Sequence, residues 1–429
     1  MATYLICSTP VHGHVVPMMA AASDLVSRGH RVVVLTGARF EERVRAAGAE
    51  FRPLTGRADF DDRDVESYLP DRDRYRGIAQ AQYDIQTIFV RTIPDQHAAV
   101  SRAIADVRPD AILVDGAFGG VAPLLFSSAP RPPILALGVT PLTQSSRDVA
   151  PAGTALPPSS SPIGRVRNRV LSFVARRVLF RQTQSVAQGI LAELGVTDST
   201  AFIMDISASF DRFLQLCVPE FEYPRSDLAP NTVFVGPLVP PAAEAPLPQW
   251  WSDLDGTRPV VHVTQGTIDN REFDRLVLPT VRALAELDVL VVVSLGGAAG
   301  ADLGPLPGNV RVATYLPYDR LLPLTSVFVT NGGYGGIQHA LSAGVPIVVA
   351  GDTEDKPEVA ARVAWSGAGV NLRTGTPSAD QLRAAVTRVL GTPAFRRSAQ
   401  RLAASAAAHD ARAAIDAELA DAVTHAALQ

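Results

Sequence analysis

One pattern constrains the fold of this chain more than any other, and it runs twice. Short, predominantly apolar segments alternate with helical stretches, stop at a proline-dense interval, and then resume. In the first half these segments are residues 4–8, 31–36, 111–114 (followed by Asp115) and 134–138, with helices expected at 17–27 and 40–47. In the second half they are 260–263, 289–294, 310–313, 326–330 and 347–350, with helices at 272–286 and 335–343 and an alanine-rich helical end from Ser378. Strands too uniformly apolar to alternate in and out, with helices between them, predict parallel strands in doubly wound α/β sheets. The interval 218–259, with VPEFEYPRSDLAP and GPLVPPAAEAPLPQWW, predicts a semi-rigid linker. A chain of 429 residues is also too long for one ordinary core. The expected fold class is therefore α/β, two Rossmann-like domains facing each other across a cleft. Residues 1–218 form the first, 219–258 the linker and 259–409 the second, and a helix over 410–429 can pack back on the first.

Two stretches interrupt the alternation. Residues 56–76 are crowded with Asp and Arg, and 141–162 are rich in Pro, Ser and Ala; both predict lids or binding loops. Residues 164–195 read as basic amphipathic helices.

Composition narrows the function classes. A 47% hydrophobic, 19% charged chain of net charge -4 is a globular protein without the basic footprint of a nucleic-acid binder. The opening residues read as a strand and not as a signal peptide, and no apolar run reaches the roughly 18 residues of a membrane span. Cys7 and Cys217 lack metal or redox spacing and are expected as buried thiols in a cytoplasmic protein. Lys356 is the one lysine; the other 38 basic residues are arginine. That bias reflects a GC-rich genome or marks Lys356 as a residue where a compact point charge is needed.

Three constellations carry chemistry. Pro10-Val11-His12-Gly13-His14-Val15-Val16-Pro17 lies between the first strand and first helix, where open α/β sheets place ligands. Asp115 ends a strand of the same sheet, so it can fix the tautomer of His14 and make it a better base. Alternatively, His14 is a polar helix-start residue and Asp115 a helix cap. In Thr330-Asn331-Gly332-Gly333-Tyr334-Gly335-Gly336, glycines expose backbone N–H groups at a helix start, a cradle for phosphate, or else form a plain turn before a solvated charged loop. The next strand delivers Gly351-Asp352-Thr353-Glu354-Asp355-Lys356-Pro357, with Pro357 suited to a helix start. Thr264-Gln265-Gly266-Thr267 is a weaker phosphate turn. The carboxylates of Asp71-Arg72-Asp73 and Asp253-Leu254-Asp255 lack His or Cys neighbours, so no metal site is expected.

HGHVVP near the start, PEFEYPR and FVGPL at the linker, and VTNGGYGGIQHALSAGVPIVVAGDTEDKPEVAARV in the second half make the chain resemble a known group. These are the family-1 nucleotide-sugar glycosyltransferases of the GT-B fold, in their bacterial macrolide and natural-product branch. The resemblance spans nearly the whole chain. It implies an acceptor-binding first domain and a second domain that binds a UDP- or dTDP-linked sugar. It also implies an inverting reaction with no cofactor and no metal, and a lipophilic small-molecule acceptor whose identity is set by 56–76 and 141–163.

By position, His14 then matches the general base and Asp115 its orienting acid. The donor side comprises Gly13, Gln265, Gly266, Thr267, Tyr315 and Pro317 at the nucleobase, Asn331, Gly332, Gly333, Tyr334, Gly335, Gly336, His339, Asp355 and Lys356. Thr267 stands at the diphosphate, and Gly335 and Gly336 stand at the Asn-Ser positions of the plant signature. Asp355 matches the aspartate that grips sugar hydroxyls. Three departures concern the donor: Asn331 replaces a histidine, His339 a glutamate and Lys356 a glutamine. Two other readings stay open. Gly333-Tyr334-Gly335 with Asp352 imitates an NAD fingerprint, although Gln338 holds the third glycine position. A sugar-nucleotide epimerase of the same fold would act without an acceptor. The expected partners are the donor and acceptor alone, with no nucleic acid and no membrane span, in a monomer or homodimer.

Overall fold

The computed structural model describes residues 1–197, 201–239, 246–266, 272–297, 303–426 and 428. Thr3–Cys7 (β1), Arg31–Thr36 (β2), Glu50–Pro53 (β3), Ala111–Asp115 (β4), Ile134–Gly138 (β5), Arg212–Gln215 (β6) and Thr232–Phe234 (β7) form one sheet, ordered β3-β2-β1-β4-β5-β6-β7. Val260–Thr264 (β8), Leu290–Ser294 (β9), Val310–Ala313 (β10), Val327–Thr330 (β11), Ile347–Val349 (β12) and Gly369–Asn371 (β13) form a second, ordered β10-β9-β8-β11-β12-β13. Every pairing is parallel. The central strands β4, β5, β8 and β9 are buried at every residue because helices cover both faces, which is why their sequences do not alternate.

Both sheets reverse direction at their centre. The first runs outward from β1 to β2 and β3, then returns to β4 on the other side of β1; the second does the same at β8 and β11. At such a reversal, the loops leaving the carboxyl ends of the two central strands diverge and leave a crevice where ligands bind.

The helix after β1 starts at His12, not at the expected Pro17, so the proline lies inside it. One lost intrahelical hydrogen bond is outweighed by a buried face of Val15, Met18, Ala22 and Leu25. Gly13 and His14 therefore stand in its first turn. In the second half the expected helix over 272–286 is shorter, a 3-10 turn at Phe273–Arg275 followed by Val277–Leu284. Residues 219–258 are not all linker: Thr232 pairs with Phe213 and Phe234 with Gln215, which makes β7 the sheet's last strand. Three residues framed by prolines carry no strand periodicity of their own; the β6 edge selects them. Polar β3 (EFRP) and short β13 (GVN) were likewise unpredicted, for the same reason.

The chain ends on its beginning. In the Ala411–Ala426 helix, Ala411, Ile415 and Leu419 are buried in the core that also holds Leu25 and Val34, and Asp416 pairs with His30 at 3.2 Å. No helix among the described residues is long and apolar enough to cross a membrane. Ile415 is 1% exposed, so Ile415→Ala should cost about 2–4 kcal/mol in urea unfolding. Ile163→Ala, at an 84% exposed position, should stay within about 0.5 kcal/mol of wild type. Equal effects would contradict the docking of this helix on the first sheet.

Candidate active site

Asp115, the last residue of β4, is fully buried, and its carboxylate must be satisfied where water cannot reach. Oδ2 accepts the Thr9 N–H at 2.7 Å, and Oδ1 accepts the Ala117 N–H at 2.9 Å. Oδ1 also lies 2.8 Å from His14 Nδ1. A carboxylate only accepts, so Nδ1 carries the proton and Nε2 is left as the basic nitrogen. Burial pulls the His14 pKa down, but the adjacent Asp115 charge and its hydrogen bond, together with the charges of Asp355 and Glu354, raise it above its ordinary value. Asp355 and Glu354 both belong to the second half of the chain. The ring of Phe89 stacks at a tilt, 5.7 Å from that of His14. Phe89 carries no sequence signal beyond being apolar and was missed.

Across the second sheet, Thr264 of β8 and Thr330 of β11 lie in register, and the two chain exits turn alike. Thr264 Oγ1 accepts from Gly266 N and Thr330 Oγ1 from Gly332 N, both at 3.2 Å. Gly332 has φ +95°, and a Cβ there would stand 2.8 Å from Val349 Cγ2, so the turn requires glycine. The Tyr334–Ser342 helix follows with Gly333 as N-cap. Its first internal bond runs from Ile337 N to Gly333 O, leaving the preceding first-turn amides directed out of the helix. A Cβ at Gly333 or Gly335 would meet nothing within 4 Å, so that end opens onto free space. Amides at a positive helix end facing open space make an anion cradle.

The loop after β12 supplies the acids. Burial, with Glu354 adjacent, pushes the Asp355 carboxyl up to about 6. Glu354 has φ +56°, unusual for a side chain with a Cβ. Its side chain is largely exposed, and Lys356 Nζ at 2.9 Å holds its carboxyl below the ordinary value.

Several expected donor residues are otherwise engaged. Tyr334 points away from the cradle: its hydroxyl accepts from Gln215 Nε2 at 2.8 Å, and its ring packs with Cys217 and Phe221. Only its backbone faces the helix start. The Gln265 side chain is used for structure, since Oε1 accepts Leu276 N and Val277 N at 3.0 and 3.1 Å and Nε2 donates to Glu272 O. Its carbonyl takes the Asn331 Nδ2 donor at 2.5 Å. Lys356, 5% exposed, gives Nζ to Thr353 Oγ1 and Glu354 Oε2, both at 2.9 Å. It therefore does not stand as an isolated cation over the cleft. Pro317 is buried, and its carbonyl accepts from Arg320 N and Leu321 N. His339 meets Tyr318 edge-on at 6.0 Å, and burial pushes its pKa down to about 4, so it is neutral. Tyr315 is 60% exposed beside Gly297, Gly13 is exposed beside His14, and Thr267 lies outside the described residues.

Residues 12–125 match the glycosyltransferase family 28 N-terminal domain, and 279–421 match the erythromycin biosynthesis protein CIII-like C-terminal domain. The 4'-demethylrebeccamycin synthase of Lentzea aerocolonigenes is 42% identical over 96% of this chain and 97% of its own length. UDP-glucosyltransferase A1 of Starmerella bombicola is 34% identical over 98% and 92%. Among solved structures, the glycotransferase of kitacinnamycin aligns with TM-score 0.72 and 25% identity over 97% of each chain. The calicheamicin glycosyltransferase CalG4 aligns with TM-score 0.74 and 23% identity over 99% and 98%, a likeness of fold.

The His14–Asp115 pair makes a pH prediction. The wild-type imidazole, followed by NMR, should titrate above the ordinary 6.5, being protonated below that midpoint and a free base above it. Asp115→Asn should lower the midpoint, because the largest of the charges that oppose burial is then gone. A wild-type midpoint at or under 6.5 would show that burial, not Asp115, dominates.

Proposed function

Since the chain belongs to the family-1 natural-product glycosyltransferases of the GT-B fold, which use nucleotide-sugar donors, we propose an inverting, metal-independent transfer of the sugar to a hydroxyl of a lipophilic small molecule. One observation carries this reading: the buried His14–Asp115 pair, 2.8 Å apart. His14 Nε2 takes the acceptor hydroxyl proton while the oxygen attacks the anomeric carbon from the side opposite the diphosphate. The new C–O bond forms as the bond to the diphosphate breaks, so the configuration inverts. Asp115 keeps Nδ1–H in place and stabilises the imidazolium, a contribution typically worth about 10²–10⁴ in rate.

The diphosphate leaves as an anion, and the amides from Gly333 to Gly336 at the helix start are the groups that receive it. Asp355 is the acceptor for sugar hydroxyls. The names of relatives at 34–37% identity, UDP-glycosyltransferase 2 of Phaeomoniella chlamydospora and UDP-glucosyltransferase A1, support a UDP-linked donor. A dTDP-linked sugar is the second candidate. Mass spectrometry of a phenolic acceptor incubated with UDP-glucose and with dTDP sugars decides between them, and an acceptor-dependent glycoside also excludes an epimerase.

His14→Ala should lower kcat for O-transfer by at least about 10²-fold with nucleotide affinity within about twofold of wild type, measured by calorimetry. An equal loss of nucleotide binding would remove the base role. The metal-free reading is supported by the backbone cradle, whose amides can meet the diphosphate charge without a cation. EDTA should therefore leave the rate largely intact. Collapse with chelator and recovery with Mg²⁺ or Mn²⁺ would overturn it.

A further inference from the structure

The Lys356–Trp365 helix leaves the acidic loop of the second half and buries Glu358 and Arg362 on its inner face. Arg362 is 1% exposed; Nε and Nη2 donate to Glu222 Oε1 at 2.8 and 2.6 Å, and Nη1 donates to Glu358 Oε2 at 2.8 Å. Its guanidinium lies 4.2 Å from the centre of the Tyr223 ring. Glu222, also 1% exposed, accepts the Leu142 N–H at 3.0 Å, and Arg225 donates to the Leu142 carbonyl at 2.9 Å. The remaining oxygen of Glu358 reaches furthest. Oε1 accepts from Gly153 N and from Ala155 N, each at 2.8 Å. Ala155 sits at φ +51°, a left-handed conformation that an alanine holds only under external constraint.

The loop between β5 and the Pro162–Val174 helix is thus gripped at both its entry and its tip. Glu222 and Arg225 hold Leu142, while Glu358 holds 153–155, and Arg362 joins the two carboxylates. One of these grips comes from the second half of the chain, three residues beyond Asp355.

We propose that Glu358 is a positioning residue for the acceptor: a carboxylate on the donor-side helix that sets the 151–155 turn, and so couples the shape of the acceptor side to the loop that carries Asp355. It touches neither substrate. This inference rests on the reading of 141–161 as part of the acceptor side. If Glu358 fixes that loop, it acts on acceptor KM and leaves the nucleotide cradle alone, since none of its hydrogen bonds goes to residues 330–336.

The test compares Glu358→Ala, which strips the acceptor from both amides, with Glu358→Gln, which keeps an oxygen for them. Assays use p-nitrophenol with UDP-glucose or dTDP-glucose, whichever the wild type turns over, and calorimetry of the free nucleoside diphosphate. Glu358→Ala should raise acceptor KM about tenfold, with nucleotide Kd within about twofold. Glu358→Gln should fall between wild type and Glu358→Ala. Adding Ala155→Gly to Glu358→Ala removes the left-handed penalty, and should recover part of the KM without restoring Tm. Hydrogen exchange at amides 153 and 155 should speed up in Glu358→Ala ahead of the rest of the chain. Acceptor KM unchanged in a folded Glu358→Ala, or nucleotide Kd shifted as much as KM, would overturn the proposal. If Glu358→Ala fails to fold, Glu358→Gln carries the same two criteria. If the wild type turns over neither donor, the transfer reading fails, while unchanged exchange at 153 and 155 would separately sink the role of Glu358.

Discussion

A negative charge at the centre of the first sheet, with no water to solvate it, organises the catalytic side of this protein. Asp115 has no exposed surface, so its ionised form depends on donors placed around it. Those donors come from three places: the backbone just past β1 at Thr9, the backbone just past β4 at Ala117, and the imidazole in the first turn of the following helix. β1 and β4 are neighbours in register, with Cys7 opposite Val114, so the exits of both strands reach the same carboxylate. The helix has to begin at His12, despite Pro17, for the imidazole to arrive there. The sheet order and the helix start thus bring three donors to one buried charge, and that charge fixes the tautomer of His14.

The seam between the two halves is held by polar contacts of the same exacting kind. Glu222, Arg225, Glu358 and Arg362 balance two charges of each sign out of water, and Gln215 meets the hydroxyl of Tyr334. Taking such ions out of water offsets most of what they gain from one another, so the cluster adds little net stability. What it does supply is direction. An apolar seam tolerates sliding, whereas a guanidinium bonded to two carboxylates from different segments has few alternative arrangements. The orientation of the acidic loop toward His14 rests on that seam.

Much of this was legible in the sequence, and the reasons divide cleanly. Strands buried on both faces announce themselves by being mostly apolar, as RVVVLT and AILVD are, so most of the interior strands were readable. The glycine cradle was readable because a residue such as Gly332, at φ +95°, leaves few substitutes. Edge strands β3, β7 and β13 were not, since a strand of three or four residues is chosen by its neighbour's free edge and not by its own side chains. Side-chain direction was the other blind spot. Tyr334 and Gln265 sit within the cradle motifs, yet one turns back to the seam and the other caps a helix. Lys356 was conspicuous as the sole lysine, but composition could not reveal that Glu354 pairs with it. Glu358 gave no signal as a loop anchor, because the two amides it holds lie more than 200 positions away in the chain.

The arrangement of charge also fits the course of the proposed reaction. Positive charge grows on His14 as it takes the acceptor proton, and three carboxylates, Asp115, Asp355 and Glu354, already favour that form. Negative charge grows on the departing diphosphate, which those same carboxylates would repel. The cation in that loop does not remove the conflict, since Lys356 is paired with Glu354. Backbone amides do, because a helix start presents partial positive charge that cannot be titrated and carries no counter-ion of its own. The acids are thereby set beside the base and the amides at the leaving group, so the fixed field runs along the direction in which charge moves. In this reading the turn at Gly332–Gly336 is glycine-rich for an electrostatic reason as well as a steric one: it lets uncharged backbone serve where a side-chain cation would be neutralised by the acids around it.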